Sequence, residues 1–153
     1  MKALFIAFFL VLFVSCNDDD GPVVAKDYRV ENEKEITDFI NLNDLDALAS
    51  DSGLYYVIDE PGTGAQPTAS SNVTVAYKGT YTNGTIFDQS DENGISFDLN
   101  RVISGWIEGI QYFKEGGSGM LLIPSHLAYG SYDHNGIPAG SVLIFEVKLI
   151  SVN

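Results

Sequence analysis

Basic side chains are scarce: 8 Lys and Arg stand against 21 Asp and Glu in 153 residues, a formal charge of −13. So acidic a chain lacks the cations that neutralise phosphates, which argues against nucleic-acid binding and leaves its body repelled by anionic membrane surfaces. Cysteine occurs once, at Cys16, so no intrachain disulfide can form even in an oxidising compartment. The only histidines, His126 and His134, lie apart on a loop-like stretch, and no spaced His/Cys/Glu set points to a metal site. Also missing are a glycine-rich phosphate loop, a Cys-x-x-Cys pair, and any local triad context around Ser104 or Ser125. Those gaps leave no cofactor to expect and little hydrolytic or redox chemistry.

Long apolar runs are lacking too, apart from residues 3–14 behind the positive Lys2. That run falls short of the roughly 20 residues a membrane-spanning helix needs, and its order of charge, apolar core and small residue describes an export signal over residues 1–15. The ending Phe13-Val14-Ser15-Cys16 resembles the lipobox of bacterial lipoproteins, with Phe13 where Leu is usual. That resemblance implies a lipid-modified Cys16 as the mature first residue, and an extracytoplasmic body anchored to the outer membrane on its periplasmic or surface face. Removing the leader deletes only Lys2 among the charged groups, so the mature chain is more acidic still.

Residues 16–30 carry Asp18, Asp19 and Asp20 beside Gly21 and Pro22 with little apolar surface, and read as a flexible acidic tether. An acidic run just after the lipid cysteine also resembles the surface-export signals of some Gram-negative lipoproteins. Over residues 31–52, Ile36, Phe39 and Ile40 recur at helical spacing and Leu42, Leu45 and Leu48 follow every third residue, which predicts one or two short helices. This helical stub either packs on the domain or pairs with a second copy through residues 31–50. From residue 53 onward the pattern changes to strands at 54–58, 73–81, 119–123 and 142–150. In the last, Leu143, Phe145, Val147 and Leu149 alternate with a second row that turns polar at Glu146 and Lys148. An antiparallel sheet with one covered face follows. Within this region only residues 104–114 look helical: Ser104 can cap the start, Trp106, Ile110 and Phe113 share one stripe, and Gly116-Gly117 ends it. One short helix must therefore cover one sheet, an α+β arrangement.

The single tryptophan, Trp106, shares this region with Tyr77, Phe87, Asp88, Tyr129 and Phe145, apolar walls with few polar tips, as small-ligand pockets have. Taken one at a time, most of these residues would serve equally well as core. Taken together, the stretches VAYKGTYTNGTIFDQS, RVISGWIEGIQYFKEGG, LLIPSHLAYG and IPAGSVLIFEVKLISVN resemble, in order and spacing, the FKBP-type peptidyl-prolyl cis-trans isomerases. The resemblance covers about residues 53–153. It implies an antiparallel five- to six-stranded curved sheet wrapped around one short helix, with the site between helix and concave face. Tyr77, Phe87, Asp88, Val102, Ile103, Trp106, Tyr129, Ile137 and Phe145 fall on the family's pocket positions, Trp106 as the base under a proline ring.

The resemblance further implies proline-containing polypeptide substrates and tacrolimus-like inhibitors. In the family-like pose the Ile103 N–H and the Tyr129 hydroxyl hold substrate carbonyls, while Asp88 orients the pocket. Three places depart from the pattern: the glycine-rich run at 116–119, which raises backbone entropy; Ile95 at a rim position often aromatic; and Ala139 where a second proline is common, which loosens the flap. A non-catalytic chaperone or assembly module that binds proline segments is the alternative use of the same pocket. A surface-attachment or nutrient-binding lipoprotein would find its ligand elsewhere.

Overall fold

The structure, a computed structural model, describes residues 25–153. The export signal, Cys16 and most of the acidic tether lie outside the described residues. Helix α1 (Arg29–Asn43) opens the fold and ends where Asp44 turns into the left-handed region at φ 53. The leucine spacing that predicted further helix is broken there. Leu45 tucks inward, and Leu48–Ala49 form a two-residue strand, β1, that folds back on β2 (Tyr55–Glu60) with Leu48 opposite Tyr56. The stub is thus one helix plus a strand, and the helix begins within the stretch read as tether.

Five more strands complete one antiparallel sheet: β3 (Asn72–Thr80), β4 (Ile86–Gln89), β5 (Ile95–Asp98), β6 (Ser118–Ile123) and β7 (Leu143–Val152). The spatial order is β1-β2-β6-β7-β3-β4. The outer edge of β3 is shared: β4 pairs with its end at Lys78–Thr80, and β5 pairs with its start, from Asn72 opposite Asp98 to Val75 opposite Ile95. Seven strands exceed the expected five to six, and the surplus is β1, built from the segment ahead of the strand-rich region.

Period-two alternation sends the two rows of β7 to opposite sides of the sheet. Leu143, Phe145, Val147 and Leu149 are buried with Trp106, Ile110 and Phe113 on the face covered by helix α2 (Ser104–Gly109). Val142 and Ile144 are buried on the other face with Leu122, beneath Ile36 of α1. Beyond the reach of α1 that second row becomes the exposed Glu146 and Lys148. The sheet therefore carries a main core on one side and a smaller one on the other, and the apolar stripe of α1 rests on the chain's own sheet.

Regular α2 is shorter than the predicted 104–114 and tightens into a 3-10 turn at Ile110–Tyr112. Ser104 does not cap it; Ile103 holds the N-cap position and no side chain bonds the freed amides there. The glycine-rich run after the helix is held closely. Gly119 lies opposite Ile58 in the β2–β6 pairing, and a Cβ placed on it would enter the carbonyl oxygen of Val57. Close approach of two backbones, and not slackness, explains glycine at that position.

Candidate active site

Strand, helix and loop meet at an open cleft of about 450 Å³ between α2 and the concave face of the sheet. Trp106 forms its floor at 5 % exposure, because α2 projects the indole against β7 and β3. Three rings meet the indole: Phe145 edge-on at 5.1 Å between centroids, Tyr77 edge-on at 5.2 Å, and Phe97 tilted at 5.5 Å. Phe87 meets Phe145 edge-on at 5.4 Å. Such edge contacts are worth about 0.5–1.5 kcal/mol each beyond area burial, so the floor and walls are held rigid before any ligand arrives.

The polar groups sit at the rim. Asp88, exposed on β4, accepts a 2.6 Å hydrogen bond from the Tyr77 hydroxyl. Burial, and then that bond, push the Tyr77 hydroxyl well above the ordinary tyrosine range. Tyr129 is raised as well, by burial first and by the nearby Asp88 charge second, so both phenols stay protonated and able to donate at neutral pH. The Tyr129 ring stacks on His134 at 4.7 Å. At the entrance to α2, the Ile103 carbonyl accepts from the amides of Trp106 and Ile107, while no acceptor among the described residues pairs with the Ile103 amide. A free N–H at a helix start is the expected chemistry of that position.

Of the residues singled out in the sequence, Tyr77, Phe87, Asp88, Val102, Ile103, Trp106, Tyr129 and Phe145 all line the cleft. Ile137 is not among the lining residues; it packs half-buried on the main core, and its backbone pairs with His134 across the Asn135-Gly136 turn. Cys16 lies outside the described residues. Ile95, read as a rim position, does line the cleft, and so do Phe97 and Arg101, which the sequence reading missed. Phe97 was findable: it stands two residues from Ile95 on β5 and so shares its face. Arg101, paired with Asp98 at 3.6 Å, gave no such signal. On the flap, the Ala139 amide donates to the Asp133 carboxylate at 2.8 Å, a bond proline could not make.

An antiparallel sheet with one short helix set over an aromatic cleft defines a pocket suited to a small apolar ring. The comparisons with known proteins are specific. The family model for FKBP-type peptidyl-prolyl cis-trans isomerases matches residues 64–150. The FKBP-type peptidyl-prolyl cis-trans isomerase FkpA of Aeromonas hydrophila is 41% identical over 127 residues, 80% of this chain and 47% of that protein. FkpA of Escherichia coli K12 is 40% identical over 135 residues, 87% of this chain and 47% of its own length. The crystal structure of Escherichia coli FkpA superposes with a TM-score of 0.73 at 39% identity, over 82% of this chain and 61% of that one. A peptidyl-prolyl cis-trans isomerase structure from Pseudomonas syringae gives 0.71 at 32% identity, over 85% of this chain and 98% of that one. This chain belongs to the FKBP-type peptidyl-prolyl cis-trans isomerase family. It spans about half the length of the curated relatives it matches.

Proposed function

We propose that this chain accelerates rotation about X-Pro peptide bonds of exported polypeptides in the cleft floored by Trp106. The observation that carries the reading is the combination, in one cleft, of an aromatic floor with an unpaired N–H at Ile103 and the Tyr77–Asp88 pair at the rim. Rotating a peptide bond costs ~18–20 kcal/mol because amide resonance is lost, and the uncatalysed X-Pro reaction takes tens to hundreds of seconds. The twisted bond is less polar than the planar one. An apolar cleft therefore disfavours the planar state relative to the twisted one, and no bond to the substrate is needed.

The Ile103 amide and the Tyr129 hydroxyl supply donors for the substrate carbonyls on either side of the rotating bond, each contact contributing about 0.5–1.5 kcal/mol. Asp88, held by the Tyr77 hydroxyl, fixes the rim of the cleft. Tacrolimus-like inhibitors would compete for the same floor. A protease-coupled proline-peptide assay tests the proposal: acceleration that such an inhibitor abolishes is expected, and a rate equal to buffer would instead favour the non-catalytic binding module.

The leader and Cys16 support an extracytoplasmic, lipid-anchored protein; among the described residues no helix is long and apolar enough to cross a membrane. Membrane fractionation of wild type and Cys16→Ser distinguishes the anchor from a soluble form, since only the variant should leave the membrane pellet. A homodimer through residues 31–50 would have to use Leu42 and Leu48, exposed at 86% and 57%, because Ile36 is already covered. Sizing the soluble chain with and without those two leucines, each replaced by serine, decides it.

A further inference from the structure

Asn32 is 1% exposed, yet its side chain makes no bond within α1 and does not cap that helix. Asparagine is a weak helix former, so its place in α1 calls for a tertiary reason. The reason is a closed ring of four hydrogen bonds. Asn32 Oδ1 accepts from the Ser125 amide at 2.8 Å, and the Ser125 carbonyl accepts from the Gly130 amide at 2.8 Å. The Gly130 carbonyl accepts from the Gly140 amide at 2.9 Å, and the Gly140 carbonyl accepts from Asn32 Nδ2 at 2.8 Å, which closes the ring.

Tyr129, which overhangs the cleft, is the residue immediately before Gly130 in that ring. Two neighbouring contacts reinforce it. The Tyr28 ring lies against Gly140 so closely that no Cβ would fit there, and Ser131 Oγ donates to the Lys26 carbonyl at 2.5 Å. Residues 26–32 thus hold both ends of the loop over the cleft, although they precede the 64–150 span that the family model matches.

We propose that Asn32 is a positioning residue of the candidate site: through this ring it fixes the backbone that carries Tyr129 over the Trp106 floor. The consequence for activity rests on the isomerase reading above, whereas the consequence for loop order does not. Replacing the side chain by an apolar one of similar size leaves a buried amide and a buried carbonyl unpaired, which the loop can relieve only by opening to water.

The test compares full-length wild type with Asn32→Leu, by amide exchange, by Trp106 fluorescence titration with a short Leu-Pro peptide, and by the protease-coupled assay. Opening of this kind should speed exchange at 126–139 by about tenfold or more while amides of β6 and β7 keep their wild-type rates. Peptide affinity should weaken about fivefold or more, with KM rising more than kcat falls. Unchanged loop exchange and affinity overturn the proposal. So does faster exchange spread evenly through β6 and β7, which would make Asn32 a fastener of α1 alone. If Asn32→Leu does not accumulate as folded protein, Asn32→Asp, which keeps the acceptor and loses the donor to Gly140, carries the same comparison with the same two results. A wild type that binds the peptide and does not turn it over refutes the isomerase reading, while the exchange and titration arms still decide the role of Asn32.

Discussion

Replacing Phe145 by alanine tests packing and site in one molecule. Phe145 is 5% exposed, stands in β7 opposite Gly79 and Leu121, and presents its ring to Trp106, Phe87 and Tyr77. Truncation removes the ring's transfer free energy and leaves a hole that rigid strands cannot close, a loss of about 3–5 kcal/mol. For a domain of this size that should lower Tm by roughly 10–20 °C. Because the whole stability of a domain is only about 5–15 kcal/mol, the activity assay belongs at low temperature, where the variant is still folded. There, turnover should fall about tenfold or more, since the indole loses its principal edge contact and the floor is free to tilt. Phe145→Leu is the companion: it keeps most of the buried volume, so stability should drop by less than ~1.5 kcal/mol while turnover still falls. An alanine variant that melts within about 2 °C of wild type, or one that is folded and fully active, would show that this ring neither fills the core nor holds the floor.

Asp88→Ala, on an exposed strand position, should leave the melting curve within ~0.5 kcal/mol of wild type while lowering kcat/KM, and unchanged kinetics would remove the carboxylate from the mechanism. Gly119→Ala drives a methyl group into the Val57 carbonyl and should cost ~2 kcal/mol or more by separating β2 from β6, read as a fall in the urea midpoint. Glu33 accepts a 2.6 Å bond from the Tyr55 hydroxyl, which that bond first and burial second push up to about 12. The folded chain then holds this proton more tightly than the unfolded one, so the bond's contribution is complete below the ordinary tyrosine value near 10 and is lost as pH rises towards 12. Denaturation followed from pH 8 to 12 should show that decline flattened in Tyr55→Phe, and identical slopes would contradict it.

Legibility in the sequence followed the length and regularity of each element. β3 and β7 are long, and from Phe145 to Leu149 buried and exposed residues alternate in β7, so that period alone places Phe145 inward. β4 and β5 have four residues each and divide one edge of β3, so their pairing depends on a partner far along the chain and leaves no local period. The leucines at 42, 45 and 48 misled because spacing cannot see Asp44 turning left-handed. Tyr77, Phe145 and Trp106 were legible because they sit on β3, β7 and α2, whereas Phe87 on the short β4 and Tyr129 on a loop were placed by the family resemblance. Arg101 and Asn32 were not: one is defined by a short 3-10 turn, and the other by bonds to Ser125 and Gly140, across most of the chain's length.

The second, smaller core bears on how this protein can be divided. Leu122, Val142 and Ile144 are shielded by Ile36, with Phe39, Ile40 and Leu45 around them, all of them ahead of the stretch that looks like a complete catalytic unit. A clone begun at residue 53 would bare a greasy strip along the outer surface of three adjoining strands, and should self-associate even though every wall of its cleft is intact. For this chain, the smallest portion worth expressing starts before Tyr28.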